Sequence, residues 1–130
     1  MTSTRSVLIV GGGVGGLTLA VALGQRGISA DVAELKGSGD VLGVGIIQPG
    51  NALRALKALG LTAPCLKAGF QVDEYRYYDA NETLLASLRP LKVAGPDLPA
   101  MNMPPRPALH SILHSAAQGV GDRVRIGVTV

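Results

Sequence analysis

The sequence predicts an α/β fold that opens with a strand, a helix and a second strand, and three observations near its start predict it. An apolar run is followed directly by a glycine-rich turn. An apolar helical pattern follows the turn, and a second short apolar segment then ends in a carboxylate. Strand, glycine-rich turn, helix and strand in this order are typical of a βαβ unit with two parallel strands.

The glycine-rich turn carries the strongest functional signal. The segment VLIVGGGVGGL, from Val7 to Leu17, contains the pattern G-x-G-x-x-G at Gly11, Gly13 and Gly16. Gly11 permits the tight turn, Gly13 removes a Cβ that would block a phosphate, and Gly16 lets the helix pack closely on the sheet. The free N–H groups and the positive dipole end of the helix would face the anion. With its flanking strand and helix, the motif predicts a pyrophosphate site.

The first helix is predicted from about residue 14 to residue 26, and Gly27 is expected to end it in a left-handed conformation. Residues spaced four apart along this helix share one side. On that side the helix carries only small residues: Gly16, Ala20 and Gly24. We therefore expect the helix to approach its neighbours closely along this side.

A second strand is predicted over residues 30–34, and it ends at Glu34, 23 positions after Gly11. An acid about 20 residues beyond the glycine turn binds the ribose hydroxyls of a dinucleotide in such folds. Its charge would repel a 2′-phosphate, so the nucleotide bound should lack one. The alternative is a glycine-rich turn beside a glutamate that only faces solvent.

The middle of the chain predicts a helix and then a hairpin. Residues 51–59 place apolar side chains on one side, and Gly60 closes this helix. Residues 71–78 alternate like a strand, residues 79–82 predict a turn, and residues 83–88 predict the return strand. Because a hairpin interrupts the βαβ order, we expect it to belong to a second sheet.

The remaining segments are two predicted loops, a helix and a strand. Residues 36–45 and 101–105 are rich in glycine or proline and predict loops. A helix is predicted from Pro107, which suits the first helical position, to Gly119. Residues 123–130 alternate and predict a strand, and the Gly-Asp pair before them predicts a turn.

Composition excludes several classes of protein. The 130 residues suffice for one domain, and 47% of them are hydrophobic, so a packed core is expected. The net charge is +3, but the basic residues are scattered and aromatic residues make up only 3%, which argues against nucleic-acid binding. No apolar segment is long enough to span a bilayer. The single cysteine, Cys65, excludes an internal disulfide and fits a reducing, cytoplasmic location; we expect a buried thiol.

Two histidines and two tyrosines are further candidates for site residues. His110 and His114 are spaced like zinc ligands on a helix, but they lie off the apolar stripe and lack a third ligand. We therefore predict a solvated helix flank and no metal. Tyr75 and Tyr77 could face a substrate, but packing on the sheet is the preferred interpretation.

The sequence resembles the N-terminal part of the single-component FAD-dependent aromatic hydroxylases, the flavoprotein monooxygenases typified by p-hydroxybenzoate hydroxylase. Beyond the glycine turn and Glu34, the resemblance rests on a middle signature and on a helix start. The middle signature comprises residues 43–46 (GVGI), 51–56 (NALRAL) and 59–61 (LGL). At the helix start, Arg106 stands before the apolar pair Leu109 and Leu113.

The resemblance implies a Rossmann-like FAD-binding βαβ unit and the first hairpin of a substrate-binding sheet, within an incomplete fold. Residues 1–70 would belong to the FAD-binding part, residues 71–100 to the substrate-binding sheet, and residues 101–130 to the FAD-binding part again. Lys36 lies near a position where many relatives carry arginine. The implied cofactor-binding residues are Gly11, Gly13, Val14, Gly15, Gly16, Glu34, Lys36, Gly45 and Arg106. Arg106 would reach the ribityl–phosphate region, and Gly45 would bring backbone close to the flavin.

The resemblance also implies the activity of the intact enzyme. NAD(P)H would reduce FAD, O₂ would form a flavin C4a-hydroperoxide, and a small aromatic substrate would be hydroxylated. The sequence identifies no catalytic acid, base or nucleophile. The family's later Asp-Gly and Gly-Asp motifs are absent, so we expect a fragment, inactive alone, that needs a C-terminal part as its partner. The alternatives are another FAD-dependent oxidoreductase, such as a halogenase or an isoprenoid-type reductase, or a non-catalytic NAD- or FAD-binding module.

Overall fold

The computed structural model describes residues 6–37 and 43–129. The contacts within the chain divide it into two units, Met1–Val44 with Arg106–Val130 and Gly45–Pro105. We describe each unit by itself. The domain division expected at residues 70 and 100 stays a prediction, and part of the loop expected over residues 36–45 lies outside the described residues.

The helices and strands have these bounds in chain order: β1 (Ser6–Val10), α1 (Val14–Gly24), β2 (Ser29–Glu34), β3 (Gln48–Pro49), α2 (Gly50–Ala58), α3 (Thr62–Ala68), β4 (Phe70–Val72), β5 (Tyr75–Tyr78), β6 (Leu84–Leu88), β7 (Met101–Met103), α4 (Arg106–Gly119) and β8 (Arg123–Ile126). Most of the predicted elements are present. The exceptions lie mainly in the second unit.

The first unit contains a parallel sheet with strand order β1-β2-β8. Val10, the last residue of β1, pairs with Ala33, and Glu34, the last residue of β2, pairs with Ile126. The carboxyl ends of the three strands therefore share one edge of the sheet. This arrangement confirms the predicted α/β class and the opening βαβ unit.

Helices α1 and α4 pack against each other, and α1 also contacts β1 and β2. The side chains that form this core are almost completely buried: Leu17, Ala20, Val21, Leu109, Leu113 and Ala117. Each large apolar side chain buried there stabilises the fold by about 1.5–3 kcal/mol. The small-residue side of α1 is used as predicted, since a Cβ on Gly24 would lie only 2.7 Å from the Cβ of Val120.

The end of α1 is shorter than predicted. The helix ends at Gly24, and residues 25–27 form a closing turn instead of a further helical turn. Gly27 has a φ of +74°, and the amide of Ile28 donates to the carbonyl of Leu23 at 3.1 Å. Gly27 thus closes the turn after the helix in the left-handed conformation, as expected.

Two aspartates stabilise the parallel sheet. The Gly-Asp pair at residues 121–122 is in a turn, as predicted, but Asp122 is only 6% exposed and its Oδ1 accepts the amide of Ala30 at 2.9 Å. Asp31 in β2 forms an ion pair with Arg123, 2.8 Å from Nε to Oδ1, and lies 3.7 Å from Arg125. Its partners on β8 explain why an acidic residue occupies the strand.

The second unit contains a short antiparallel sheet with order β3-β7-β4 and a separate hairpin of β5 and β6. The predicted hairpin is present, but two expectations were wrong. The strand expected over residues 71–78 is two strands in different sheets, separated at Asp73 and Glu74. The loop expected over residues 101–105 contains β7, because its backbone pairs with both β3 and β4.

Three amide side chains form a row across the sheet of the second unit. Gln48, Asn102 and Gln71 stand at paired positions on β3, β7 and β4. Asn102 donates to Gln48 at 2.8 Å and to the carbonyl of Cys65 at 2.9 Å, and it accepts from Gln71 at 3.0 Å. The Cys65 thiol is completely buried, as expected, and desolvation raises its pKa. This network fastens α3, a helix that the sequence patterns did not predict, to the sheet.

The last strand is also shorter than expected. β8 ends at Ile126, and Gly127 has a φ of +75°, which L-residues rarely adopt.

Among the described residues, no helix is both long and apolar enough to cross a bilayer.

Candidate cofactor-binding site

The turn between β1 and α1 has the geometry that its glycines predict. Gly11 has a φ of +103°, and its amide donates to the carbonyl of Ala33 at 2.8 Å, which joins the turn to β2. A Cβ on Gly16 would collide with the carbonyl oxygen of Gly11 and would lie 3.2 Å from Cγ2 of Ile9. The start of α1 therefore lies directly on the end of β1, and only glycine permits this contact.

The N-terminus of α1 has no internal cap. Gly13 is the N-cap residue, no side chain caps the helix, and its first turn contains no acidic residue. The first intrahelical bond runs from the amide of Leu17 to the carbonyl of Gly13 at 3.0 Å. The amides of Val14, Gly15 and Gly16 therefore have no partner within the helix, as at any helix start. A Cβ on Gly13 or Gly15 would meet nothing within 4 Å, so space is left in front of these amides.

Glu34 reaches over the turn with its carboxylate. The amide of Gly12 donates to Oε2 at 2.6 Å, and the amide of Lys36 donates to Oε1 at 2.8 Å. These two bonds, the one from Lys36 first, hold the pKa of Glu34 below its usual value. A Cβ on Gly12 would lie 2.9 Å from the Cβ of Glu34, so the approach also requires glycine at this position. Glu34 is therefore ionised at neutral pH and lies beside the glycine-rich turn.

His110 on α4 also contacts the turn, which corrects the expectation of a merely solvated histidine. Its Nε2 lies 2.9 Å from the carbonyl oxygen of Gly12, and the residue is half-buried. His114, one turn later, stacks on it with 6.3 Å between ring centroids. Within residues 6–37 and 43–129, no three histidine, cysteine or acidic side chains are grouped as a metal site would need.

Of the other candidate residues, Arg106 and Lys36 belong to the first unit and Gly45 to the second. Arg106 is exposed at the first position of α4, and a Cβ on Gly43 would lie 2.9 Å from its Cδ. Lys36 contributes its amide to Glu34, and its side chain is exposed. Gly45 belongs to the second unit, where the amide of the next residue, Ile46, donates to Pro104 at 3.1 Å.

The structure thus brings together most of the predicted residues and two that the sequence analysis missed. Those brought together are the glycines of the turn, Val14, Glu34 and the amide of Lys36. Those missed are Gly12, an unrestricted position in the motif, and His110. The only sequence signal for His110 was its place one turn after Arg106 and off the apolar stripe.

One face of the parallel sheet is open. Ile9 contacts α1, and strand alternation therefore turns Leu8 and Val10 to the opposite face, where they are 57% and 69% exposed. A groove of about 330 Å³ lies there, lined by residues of all three strands together with Val128. Exposed apolar side chains that lie side by side often mark a surface that a partner covers.

Known proteins with similar sequences are FAD-dependent. Residues 4–130 match the model of a protein family described as an FAD binding domain. A protein of Bacillus subtilis (strain 168), YetM, carries the name of an FAD-dependent monooxygenase and is 36% identical over 126 residues, which are 97% of this chain and 34% of that protein. The 3-hydroxybenzoate 6-hydroxylase of Polaromonas naphthalenivorans (strain CJ2) is 37% identical over 84 residues, which are 65% of this chain and 21% of that enzyme.

A solved structure has the same fold over nearly the whole chain. The tetrameric form of 2-methyl-3-hydroxypyridine-5-carboxylic acid oxygenase superposes with a TM-score of 0.81 at 25% identity, covering 97% of this chain and 32% of that one. The chain thus spans about a third or less of the length of the proteins it matches.

Proposed function

Because this chain belongs to the family of FAD-binding domains found in flavoprotein monooxygenases, we propose that it binds the ADP half of FAD in an enzyme that hydroxylates an aromatic substrate. One observation carries the proposal: the ionised carboxylate of Glu34 lies over the glycine turn, beside the uncapped start of α1. Pyrophosphate and ribose are neighbours in FAD, and this site offers a partner for each.

The residues present fit the cofactor. Gly13 and Gly15 leave room for phosphate oxygens in front of the amides that α1 leaves unpaired. Each oxygen of Glu34 accepts one backbone amide and keeps further lone pairs for ribose hydroxyls. The positive helix end and the acceptor carboxylate are therefore placed for an anion and for a diol, respectively.

Three further residues are proposed to contribute to the cofactor site. Arg106, exposed at the start of α4, has a guanidinium suited to the phosphate and hydroxyl oxygens of the ribityl side. Gly45, exposed and without a side chain, suits a close approach of backbone to the flavin. Lys36 adds a positive charge beside Glu34 and the pyrophosphate.

When bound, FAD supplies the redox chemistry, and the protein supplies binding, orientation and a shielded site. We propose NAD(P)H as the reductant, O₂ as the co-substrate and a small aromatic compound as the substrate. Two relatives support this class of substrate, since their names give a hydroxybenzoate and a hydroxypyridine carboxylic acid. The residues of this chain bind and position the cofactor, and none of them is assigned a proton-transfer role.

We also propose that further polypeptide of the same enzyme is the partner of this chain. The matched proteins are about three times as long or longer. The open sheet face with Leu8 and Val10 offers a surface that such polypeptide would cover. The 130 residues alone should therefore bind FAD weakly, because part of the site is contributed elsewhere.

The test is to purify the full-length protein that contains this chain and to record its visible spectrum. We expect flavin absorbance, loss of the colour on addition of NAD(P)H without oxygen, and its return in air. A colourless protein that binds NAD instead of FAD would contradict the proposal and favour a nucleotide-binding module.

A further inference from the structure

We propose that His110 is a positioning residue of the cofactor site, which orients the peptide unit joining Gly12 to Gly13 so that its N–H faces the pyrophosphate. This inference rests on the proposed binding of FAD. It adds a side chain of α4 to a site otherwise formed by the turn, α1 and the end of β2.

The backbone of Gly12 is held from both sides. Its N–H donates to Oε2 of Glu34 at 2.6 Å, and its carbonyl oxygen lies 2.9 Å from Nε2 of His110. Glu34 and His110 come from different elements, 22 and 98 residues away along the chain. Gly12 itself is buried, so its polar groups need such partners.

The bond to His110 determines where the next amide points. A peptide unit is planar, and in the trans form its C=O and N–H point in opposite directions. No described peptide bond is cis. Because the carbonyl of Gly12 points toward α4, the N–H of Gly13 points away from it. A Cβ on Gly13 would meet nothing within 4 Å, so this residue borders open space.

The chemistry of the contact requires a donor at one ring atom. A carbonyl oxygen only accepts hydrogen bonds, so the proton must be on Nε2 of His110. An apolar side chain of similar size would keep the packing but would leave the carbonyl of Gly12 without this donor. The peptide unit would then be free to rotate, and its N–H would bind an anion less well.

A series of variants in the full-length protein separates orientation from packing. His110→Leu removes the donor, whereas His110→Gln restores an N–H donor at a reach close to that of Nε2. His114→Leu is the matched control, because His114 is one turn further along the same helix and stacks on His110. The measurements are the dissociation constants for FAD and for ADP, together with the melting temperature of each apoprotein.

We expect His110→Leu to weaken FAD and ADP binding about tenfold, which corresponds to the loss of one hydrogen bond. His110→Gln should stay within about threefold of the wild type, and His114→Leu within about twofold. Rescue by glutamine but not by leucine is a result that packing alone would not produce.

The inference is overturned if His110→Leu binds FAD and ADP as tightly as the wild type does. It is also overturned if glutamine binds both ligands as weakly as leucine does while the two apoproteins melt alike. If the wild-type protein binds no FAD, the proposed function itself fails, and that result is distinct from an unchanged affinity in the variants.

Discussion

The side chain of Glu34 combines a structural role with the binding role proposed for it. Two backbone amides, of Lys36 and Gly12, donate to its carboxylate. They fix its orientation and keep it charged, since hydrogen bonds to the ionised form lower a carboxyl pKa. A charged acceptor in a fixed orientation is what recognition of a ribose diol requires. The same charge would repel a nucleotide that carries a 2′-phosphate.

The lowered pKa of Glu34 predicts a pH dependence of stability. Because the folded-state pKa lies below the ordinary value of 4.5, the two bonds stabilise the protein above that value. This contribution is lost as the pH falls through the lowered pKa. We expect the melting temperatures of the wild type and of Glu34→Gln to differ by a constant amount above about pH 5 and to converge in more acid solution.

Thermal unfolding of the apoproteins at a series of pH values checks this prediction. Asp97→Asn is the control, because Asp97 is an exposed acid of the second unit. A difference between the wild type and Glu34→Gln that stays constant down to the acid limit of the measurement would show that the stabilisation does not depend on the ionised form of Glu34, against the prediction from its lowered pKa.

Gly13 and Gly16 provide a matched pair of substitutions in the turn. Gly16→Ala places a methyl group on the carbonyl of Gly11, so it should destabilise the fold by about 1–3 kcal/mol or more. Gly13→Ala meets no protein atom within 4 Å, and its φ of −75° suits alanine. It should change stability by less than about 0.5 kcal/mol, yet weaken FAD binding by at least about tenfold, because the methyl group fills phosphate space.

Chemical denaturation and FAD titration of both variants test this contrast. A Gly13→Ala protein that binds FAD like the wild type would mean that the phosphates are not bound in front of this residue. Equal loss of stability in both variants would contradict the packing that the turn shows.

At the scale of elements, the buried side chain of Asp122 supports the parallel sheet in addition to the backbone pairing. Asp122, just before β8, accepts the amide of Ala30 in β2. In Asp122→Ala this buried amide would lose its acceptor, and leaving such a group unpaired costs about 1–3 kcal/mol. We expect Asp122→Ala to lower the free energy of unfolding by that amount and Asp122→Asn, which keeps an acceptor oxygen, to lower it less. Urea unfolding monitored by circular dichroism measures both; equal losses would contradict this role for Asp122.

The elements that the sequence predicted well are those with a local signature. The glycine turn, α1 and β2 follow from spacing and periodicity, and α4 follows from an apolar stripe that ends at a glycine. In contrast, β3 and β7 have two and three residues, and only pairing with distant segments makes them strands. The short α3 contains Pro64 within seven residues, so its helical pattern was too brief to detect.

The candidate site also contains one residue that a local sequence pattern predicted and one that it did not. Spacing from the glycine turn predicted Glu34, because the motif and the second strand bring the acid to the same sheet edge as the turn. It did not predict His110, whose contact with Gly12 joins residues 98 positions apart. Packing of α4 on α1 creates that contact, and periodicity along one segment carries no information on it.

At the scale of the whole molecule, we propose that this chain binds the ADP half of FAD and that further polypeptide contributes to binding the flavin half. The described residues include the proposed partners of the pyrophosphate and the adenosine ribose, whereas the remaining contacts to the cofactor are proposed to come from further polypeptide, since the matched proteins are about three times as long. Affinity contributed by this chain should therefore depend on the ADP half of the cofactor. A ligand that lacks this half should gain nothing from Glu34 or from the turn.

The most direct test compares FAD with FMN, which lacks the adenosine and one phosphate, in calorimetric titrations of the full-length apoprotein and of Glu34→Ala. We predict that the wild type binds FAD at least about a hundredfold more tightly than FMN, and that Glu34→Ala loses about tenfold or more of this preference without a change in FMN binding. Equal affinity for FAD and FMN in the wild type, or an undiminished preference in Glu34→Ala, would contradict the assignment of the turn and Glu34 as the ADP site.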